Sequence, residues 1–297
     1  MVYPVSVLGF ADPFSSWSHL LAAGIFLFCG IFLIRRGRGN GPRIFALSVF
    51  VFASIFLFSM SGVYHLFPRF GSTTRMVMQR LDHAAIWLMI AGSFTPIHYI
   101  LCRRWWRWGI LAFVWIIAIT GLVLKTVFFD DIPNWATTSL YIGLGWVGVL
   151  SFYKLKNVIG LSQMKWLVFG GLAYTVGAVM DLLNWPVIVT GYFQYHEIFH
   201  LLVVFAAASH WYFIYQWANH PVYDHFVVDV RERSSHEFRA HVIGEAIQVV
   251  ADSKESLKNL IQKQFHDRFH HRYFPKTLSL RYVQEEVVSA PESSSQV

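Results

Sequence analysis

Seven stretches, each long and apolar enough to cross a bilayer, dominate this chain and leave few folds open to it. They run over residues 14–34, 44–67, 81–102, 105–127, 135–153, 165–184 and 196–217, where a spanning helix needs about 20 apolar residues. In hydrocarbon each backbone N–H and C=O must find its partner within the protein, so isolated stretches of this length are helices. The expected fold is an all-α membrane protein, a seven-transmembrane helix bundle. Only 14% of residues are charged, against about 25% in an ordinary soluble domain. The first stretch opens on Asp12-Pro13, a helix-cap residue followed by a proline at the first helical position. Its length is that of a spanning helix, which argues against a cleaved signal peptide.

Cys29 and Cys102 lie in or beside apolar runs, so neither a disulfide framework nor a thiolate metal site is expected. The net charge of +7 comes from the spanning part, where basic residues report topology and contact with anionic lipid rather than nucleic acid. Threading seven spans puts Arg69, Arg75, Arg80 and Lys125 on one side. Arg35, Arg36, Arg38, Arg43, Arg103, Arg104, Arg107, Lys154, Lys156 and Lys165 fall on the other. The more basic side faces inward, so the N-terminus is expected outside and the C-terminus inside, in a bacterial inner (cell) membrane.

Near Val222 the pattern changes. Alternation over "HFVVDVRERS", helical spacing at Leu257, Leu260, Ile261 and Phe265, and alternation in "KTLSLRYV" predict a small C-terminal soluble α+β appendage. The expected division is a transmembrane domain over 1–217, a soluble domain over 222–287 and a disordered tail over 288–297. A domain this small has little core of its own, so docking on the membrane part, a partner or self-association is expected. His266, His270 and His271 read as a solvated helix face rather than a metal site.

Ionisable groups inside spans are costly and therefore mark function. They are His19, His65, Asp82, His83, Asp181, His196, Glu197, His200 and His210, with Ser61 beside them. The ends of even spans and the starts of odd spans share one membrane side, so His65, Asp82, His196 and His200 can converge there. "HEIFH" (196–200) spells H-E-x-x-H, a zinc-protease pattern. Its two histidines share one helix face about 6 Å apart along the axis. A protease would need a third ligand downstream. Position 206 is Ala206, the next glutamate is Glu232, and His210 lies about 15 Å away along the helix. His65 from the second span is the better third ligand, because three histidines leave an open position on zinc. Asp82 then orients a zinc-bound water and accepts its proton, and Ser61, one turn before His65, holds a water or a developing oxyanion. Glu197 points about 100° away from His196 and is expected to cap the helix or support a ligand.

These residues sit in recognisable motifs. "SGVYH" (61–65), "LDHAAIWLMIAGSFTP" (81–96), "GGLAYTVGAVMDLLNWP" (170–186) and "YHEIFHLLVVFAAASH" (195–210), with "WSHLLAAG" (17–24), resemble the hemolysin III branch of the progestin and adiponectin receptor family. The resemblance covers about residues 12–217. It implies zinc on His65, His196 and His200, with the family's aspartate at Asp82 and its serine at Ser61. It also implies kinship with alkaline ceramidases, in a superfamily associated with hydrolysis of lipid amides. Asp181 departs from the pattern, standing where an uncharged, often aromatic residue is expected. The soluble tail is a second departure.

Each reading has a plainer counterpart. The three histidines could be interhelical hydrogen-bond partners, and Asp82 could cap the third helix, whose first turn it would occupy. His83 is expected in a loop or lipid-interface contact, and His19 and His210 in interhelical hydrogen bonds. Trp105, Trp106 and Trp108 with Arg103, Arg104 and Arg107 read as an interface anchor, and Gly143, Gly145 and Gly148 as points of close helix packing. The expected function is a zinc-dependent integral membrane hydrolase acting on a lipid amide or ester, with a zinc-bound water attacking the carbonyl. The alternatives are a non-enzymatic, zinc-stabilised receptor-like or regulatory protein and a hemolysin-like lytic protein.

Overall fold

Pro13 at the first helical position opens α1 (Pro13–Arg35), and Asn40, whose side chain accepts the Arg43 N–H at 2.9 Å, caps α2 (Gly41–Leu66). These helices belong to a computed structural model that describes residues 5–68, 73–234, 237–269 and 277–283. There follow α3 (Thr73–Leu101), α4 (Trp105–Val127), α5 (Asn134–Trp146), α6 (Gly148–Ile159) and, after a short 3₁₀ turn, α7 (Lys165–Leu183). A hairpin of β1 (Val187–Val189) and β2 (Phe193–Gln194) leads into α8 (Tyr195–Trp217). Among the described residues these helices supply 7 segments long and apolar enough to cross a membrane, with α5 and α6 together forming the fifth. The protein is a seven-helix membrane protein with a small strand-containing C-terminal region.

Two boundaries differ from the sequence expectation. The third span, expected from residue 81, begins as a helix at Thr73; the polar residues Arg75, Gln79 and Arg80 ended the apolar run but not the hydrogen bonding. Asp82 therefore lies well inside α3 and cannot cap it. The fifth span breaks at Val147, where the Val147 N–H donates to the Leu144 carbonyl (3.3 Å) and the Leu150 N–H to that of Val147 (3.0 Å). This three-residue spacing tightens the turn and parts α5 from α6.

Helices in lipid associate by close packing rather than by expulsion of water, so small residues mark their contacts. A Cβ on Gly30 would stand 2.4 Å from Val51 of α2, and one on Gly92 would stand 2.6 Å from Ala53. Those positions seal α1 to α2 and α2 to α3. Gly143 and Gly145 meet nothing within 4 Å, and Gly148 has Phe94 at 3.6 Å. The close packing expected of that trio is not found there; Gly145 and Gly148 line a cavity instead.

The chain beyond α8 is held by arginines. Arg43 donates to the His220 carbonyl at 3.2 Å, Arg103 to Pro221 at 2.5 Å, and Arg107 to Val222 at 2.7 Å and Cys102 at 2.8 Å. Trp105 and Trp108 are exposed as an interface anchor requires, but Arg43 and Arg107 are buried and satisfy backbone oxygens instead. Burial, with the charges of Arg103 and Arg43, pushes the His220 imidazole down to about 3 and keeps it neutral at neutral pH.

A second compact unit begins at Tyr223. Its sheet is ordered β5-β4-β3-β6 and is built from β3 (His225–Ser234), β4 (Glu237–Val242), β5 (Gln248–Ala251) and β6 (Thr277–Val283), with β3 and β6 parallel. A helix, α9 (Lys254–Arg268), capped by Ser253, covers one face. Alternating Phe226, Val228 and Val230 meet Leu257, Ile261 and Phe265 from that helix, which is the periodicity read from the sequence. His266 lies on α9; His270, His271 and residues 288–297 fall outside the described residues.

Candidate metal centre

Three imidazoles meet at the end of the bundle where α2 stops and α8 starts. The Nε2 atoms of His196 and His65 are 3.3 Å apart, and those of His200 and His196 are 3.1 Å apart. His196 and His200 face the same way because they stand one helical turn apart, and His65 arrives from the last turn of α2. Zinc with nitrogens at about 2.0–2.1 Å in tetrahedral geometry spaces its ligands about 3.3 Å apart. The observed spacings therefore suit a shared ion.

The outer nitrogens explain why the lone pairs point inward. His65 Nδ1 donates to Asp12 at 3.0 Å, and His196 Nδ1 donates to Asp181 at 2.9 Å. Each carboxylate fixes the proton on Nδ1, so each Nε2 presents its lone pair to the centre. Lone pairs aimed at one another repel unless a cation lies between them, and the donor set thus fits a metal. His200 is held differently. Its ring lies against that of His19 (centroids 4.0 Å apart), its carbonyl accepts His19 Nε2 at 3.4 Å, and its Nδ1 is buried with no hydrogen-bond partner among the described residues.

Asp12 corrects the sequence reading. Its side chain makes no capping bond to α1; it serves His65 and accepts from Arg75 at 3.3 Å. Arg75 in turn lies over the Tyr64 ring at 4.4 Å and donates to the Phe67 carbonyl. Asp181, read from the sequence as an ionisable group inside a span and as a departure from the family pattern, is the partner of His196. Neither role had a sequence signal beyond the general one that a carboxylate in or beside a span needs a partner. Glu197 is a cap: its carboxylate accepts the Gln194 N–H at 2.8 Å in a reciprocal capping box.

Below the histidines runs a cavity of about 610 Å³ whose wall includes Ser61, Asp82, Asp181, His196 and His200. Ser61 is buried one turn before His65, and Asp82 lines the same chamber from α3. Asp82 and Ser61 thus share a chamber with the imidazoles without displacing them. His83 takes no part in the cluster; its ring meets that of Phe129, in the loop between α4 and α5, with centroids 5.0 Å apart. Its Nδ1 donates to the Gln79 carbonyl of its own helix at 2.9 Å, and Tyr141 donates to its carbonyl at 2.8 Å. His210 bonds the Leu167 carbonyl across the α7–α8 seam at 3.2 Å, and a Cβ on Gly170 would collide with its ring.

The model of the haemolysin-III-related family matches residues 10–211, from just before Asp12 to just after His210. The chain belongs to that family. It is 29% identical over 171 residues to "Hemolysin-3" of Bacillus cereus, covering 58% of this chain and 74% of that protein. It is 25% identical over 181 residues to the "Hemolysin-3 homolog" of Bacillus subtilis (strain 168), covering 60% and 81%. The "Adiponectin receptor protein" of Drosophila melanogaster is 26% identical over 223 residues, covering 69% of this chain and half of the receptor. The haemolysin-III-related match takes in every residue of the cluster and stops before the second compact unit.

Proposed function

We propose that this protein is a zinc-dependent membrane hydrolase acting on an amide or ester bond of a lipid. The observation that carries the reading is the convergence of three Nε2 lone pairs at one end of an apolar cavity that also holds an aspartate and a serine. His65, His196 and His200 hold the metal. Zinc bound there supplies Lewis acidity toward a carbonyl and lowers the pKa of a water ligand. Asp12 and Asp181 keep the ligand tautomers fixed. Asp82 orients the attacking water and takes its proton, and Ser61 donates to the oxygen on which charge develops. Apolar walls suit an acyl chain entering from the bilayer, which favours a lipid over a peptide as substrate.

The same reading places residues 1–217 in the membrane with the N-terminus outside, in a bacterial inner membrane. It treats residues 222–287 as a soluble domain for a partner or self-association. A receptor-like protein without turnover is the second reading, favoured by the likeness to proteins named receptors. The deciding experiment has two parts. Metal content by mass spectrometry of the detergent-purified chain is expected to give about one zinc per chain, lost in His65→Ala and His196→Ala. Release of fatty acid from lipid amides and esters is expected in wild type and lost in Asp82→Ala with zinc retained. Zinc without turnover across the panel would favour the receptor reading; wild type without metal would sink both.

A further inference from the structure

The cavity has a second chemically equipped end. Along α3 its wall runs from Asp82 to His98, about 24 Å at 1.5 Å per residue. There Ser151 of α6 and His98 of α3, both buried, lie with Oγ and Nε2 2.8 Å apart, while His98 Nδ1 is 2.7 Å from the Trp106 carbonyl. The carbonyl can only accept, so Nδ1 carries the proton and Nε2 is an acceptor; the Ser151 hydroxyl must donate to it. Phe94 stacks on the imidazole at 5.5 Å and 16° and fixes its plane. This is a hydroxyl, a base and a group that orients the base, in the order that activates a nucleophile.

Other helical hydroxyls show that this bond is not the default. Ser54, Ser93, Thr95 and Ser209 each donate to the carbonyl four residues back in their own helix. Ser151 instead bonds an imidazole on another helix. Both partners of that bond line the cavity, and Ile97 beside His98 and Leu155 one turn after Ser151 keep the wall apolar there. A plain helix-to-helix bond would not need to face a chamber large enough for a lipid chain.

We propose that Ser151 is a nucleophile and His98 its general base, forming a second reaction centre that takes long-chain carboxylic esters. The Ser151 Oγ forms a bond to the ester carbonyl carbon as its proton moves to His98 Nε2. The carbon–oxygen bond to the alcohol then breaks, and the departing oxygen takes that proton. Water attacks the resulting acyl-serine with His98 again as base, releasing the fatty acid and restoring the hydroxyl. The balance is ester plus water to acid plus alcohol. None of it uses the metal centre, so the two sites stand or fall separately.

The test is covalent labelling of the full-length protein in membranes with a long-chain alkyl fluorophosphonate. Ser151 Oγ attacks phosphorus, fluoride leaves, and the proton passes through His98. Peptide mass spectrometry is expected to find the adduct on Ser151, to find none in Ser151→Ala, and to find labelling slowed about a hundredfold or more in His98→Gln. Labelling persists in His65→Ala, which separates this centre from the metal site. An unlabelled Ser151 in protein with an unchanged thermal midpoint would overturn the proposal, as would an equal rate in His98→Gln. If Ser151→Ala does not fold, alkylation of Ser151→Cys by a long-chain iodoacetamide replaces it. His98→Gln is expected to slow that reaction at pH 7, and an unchanged rate there also refutes the assignment.

Discussion

The bundle up to Val222 and the unit after it differ in what they leave exposed and in how many charges they bury. In the bundle Leu21 and Phe28 are 67% and 63% exposed, while Arg43, Lys125, Glu197, His65 and His200 are inside. In the C-terminal unit Phe226, Leu257, Ile261 and Phe265 are inside, and Arg239, Lys258 and Arg281 are outside. Water drives the second arrangement, because removing apolar surface from it is the main favourable term. In lipid that term is absent, and what holds the bundle is close packing and the satisfaction of polar groups. A buried charge is thus informative in the bundle, where it must find a partner, as Lys125 does by donating to the Phe129 and Ile132 carbonyls at 2.8 and 3.0 Å.

The contrast predicts where side-chain truncation hurts. Phe265→Ala, in a ring cluster with Phe226 and Phe269 at 5.5 Å each, should destabilise the C-terminal unit by about 3–5 kcal/mol. Hydrogen exchange over β3 and β6 in the full chain measures it. Phe28→Ala, on the lipid-facing side of α1, should change bundle stability by less than about 0.5 kcal/mol. Equal effects from the two would break the comparison.

A smaller effect is expected from the carboxylates behind the ligands. Asp181→Ala and Asp12→Ala should each weaken zinc binding by about 10–100-fold, read by competition with a chelator, while the bundle still folds. An unchanged affinity in both would mean that the outer hydrogen bonds do not set the imidazole tautomers.

The smallest effect lies on the surface of the C-terminal unit. Arg281 grips Asp229 through two bonds of 2.7 and 2.8 Å, and this hydrogen bonding holds the Asp229 carboxyl below its ordinary value of 3.8. A carboxylate depressed by folding adds stability above its unfolded pKa and loses it as pH falls through the folded one. Arg281→Met should therefore cost slightly at pH 7 and nothing at the acid end. Urea titration of the C-terminal unit at several pH values reads the difference. A cost that persists in acid would show that the pair contributes through packing and not through charge.

Much of this was legible in the chain because lipid leaves little freedom. Length and hydropathy find the spans, and threading places His65 and His196 at one end before any coordinates are known. The legible part ends where geometry, not composition, decides. Asp12 in front of Pro13 has the form of a cap, and only its distance to His65 assigns it otherwise. Asp181 lies 15 residues before His196 and on a different helix, with the β1–β2 hairpin between, so spacing along one helix cannot pair them. The break at Val147 has no proline to announce it. His98 is a different kind of omission: it is ionisable and inside a span, so the rule that selected His65 also selects it, and what the sequence lacks is the knowledge that Ser151 on another helix faces it.

Consider finally the order in which the metal cluster acquires its parts. Asp12 precedes the first spanning helix, His65 ends the second, and His196 and His200 arrive with the last. A chain growing from a ribosome presents these over nearly its whole bundle, so a nascent chain has at most one of the three imidazoles until the final helix is inserted. An ion held by all three imidazoles would therefore certify completed biogenesis. A bundle truncated before α8, or one whose last helix fails to dock, has nothing to bind the ion with, and the ring that α8 closes against α1 through His19 and His200 stays open.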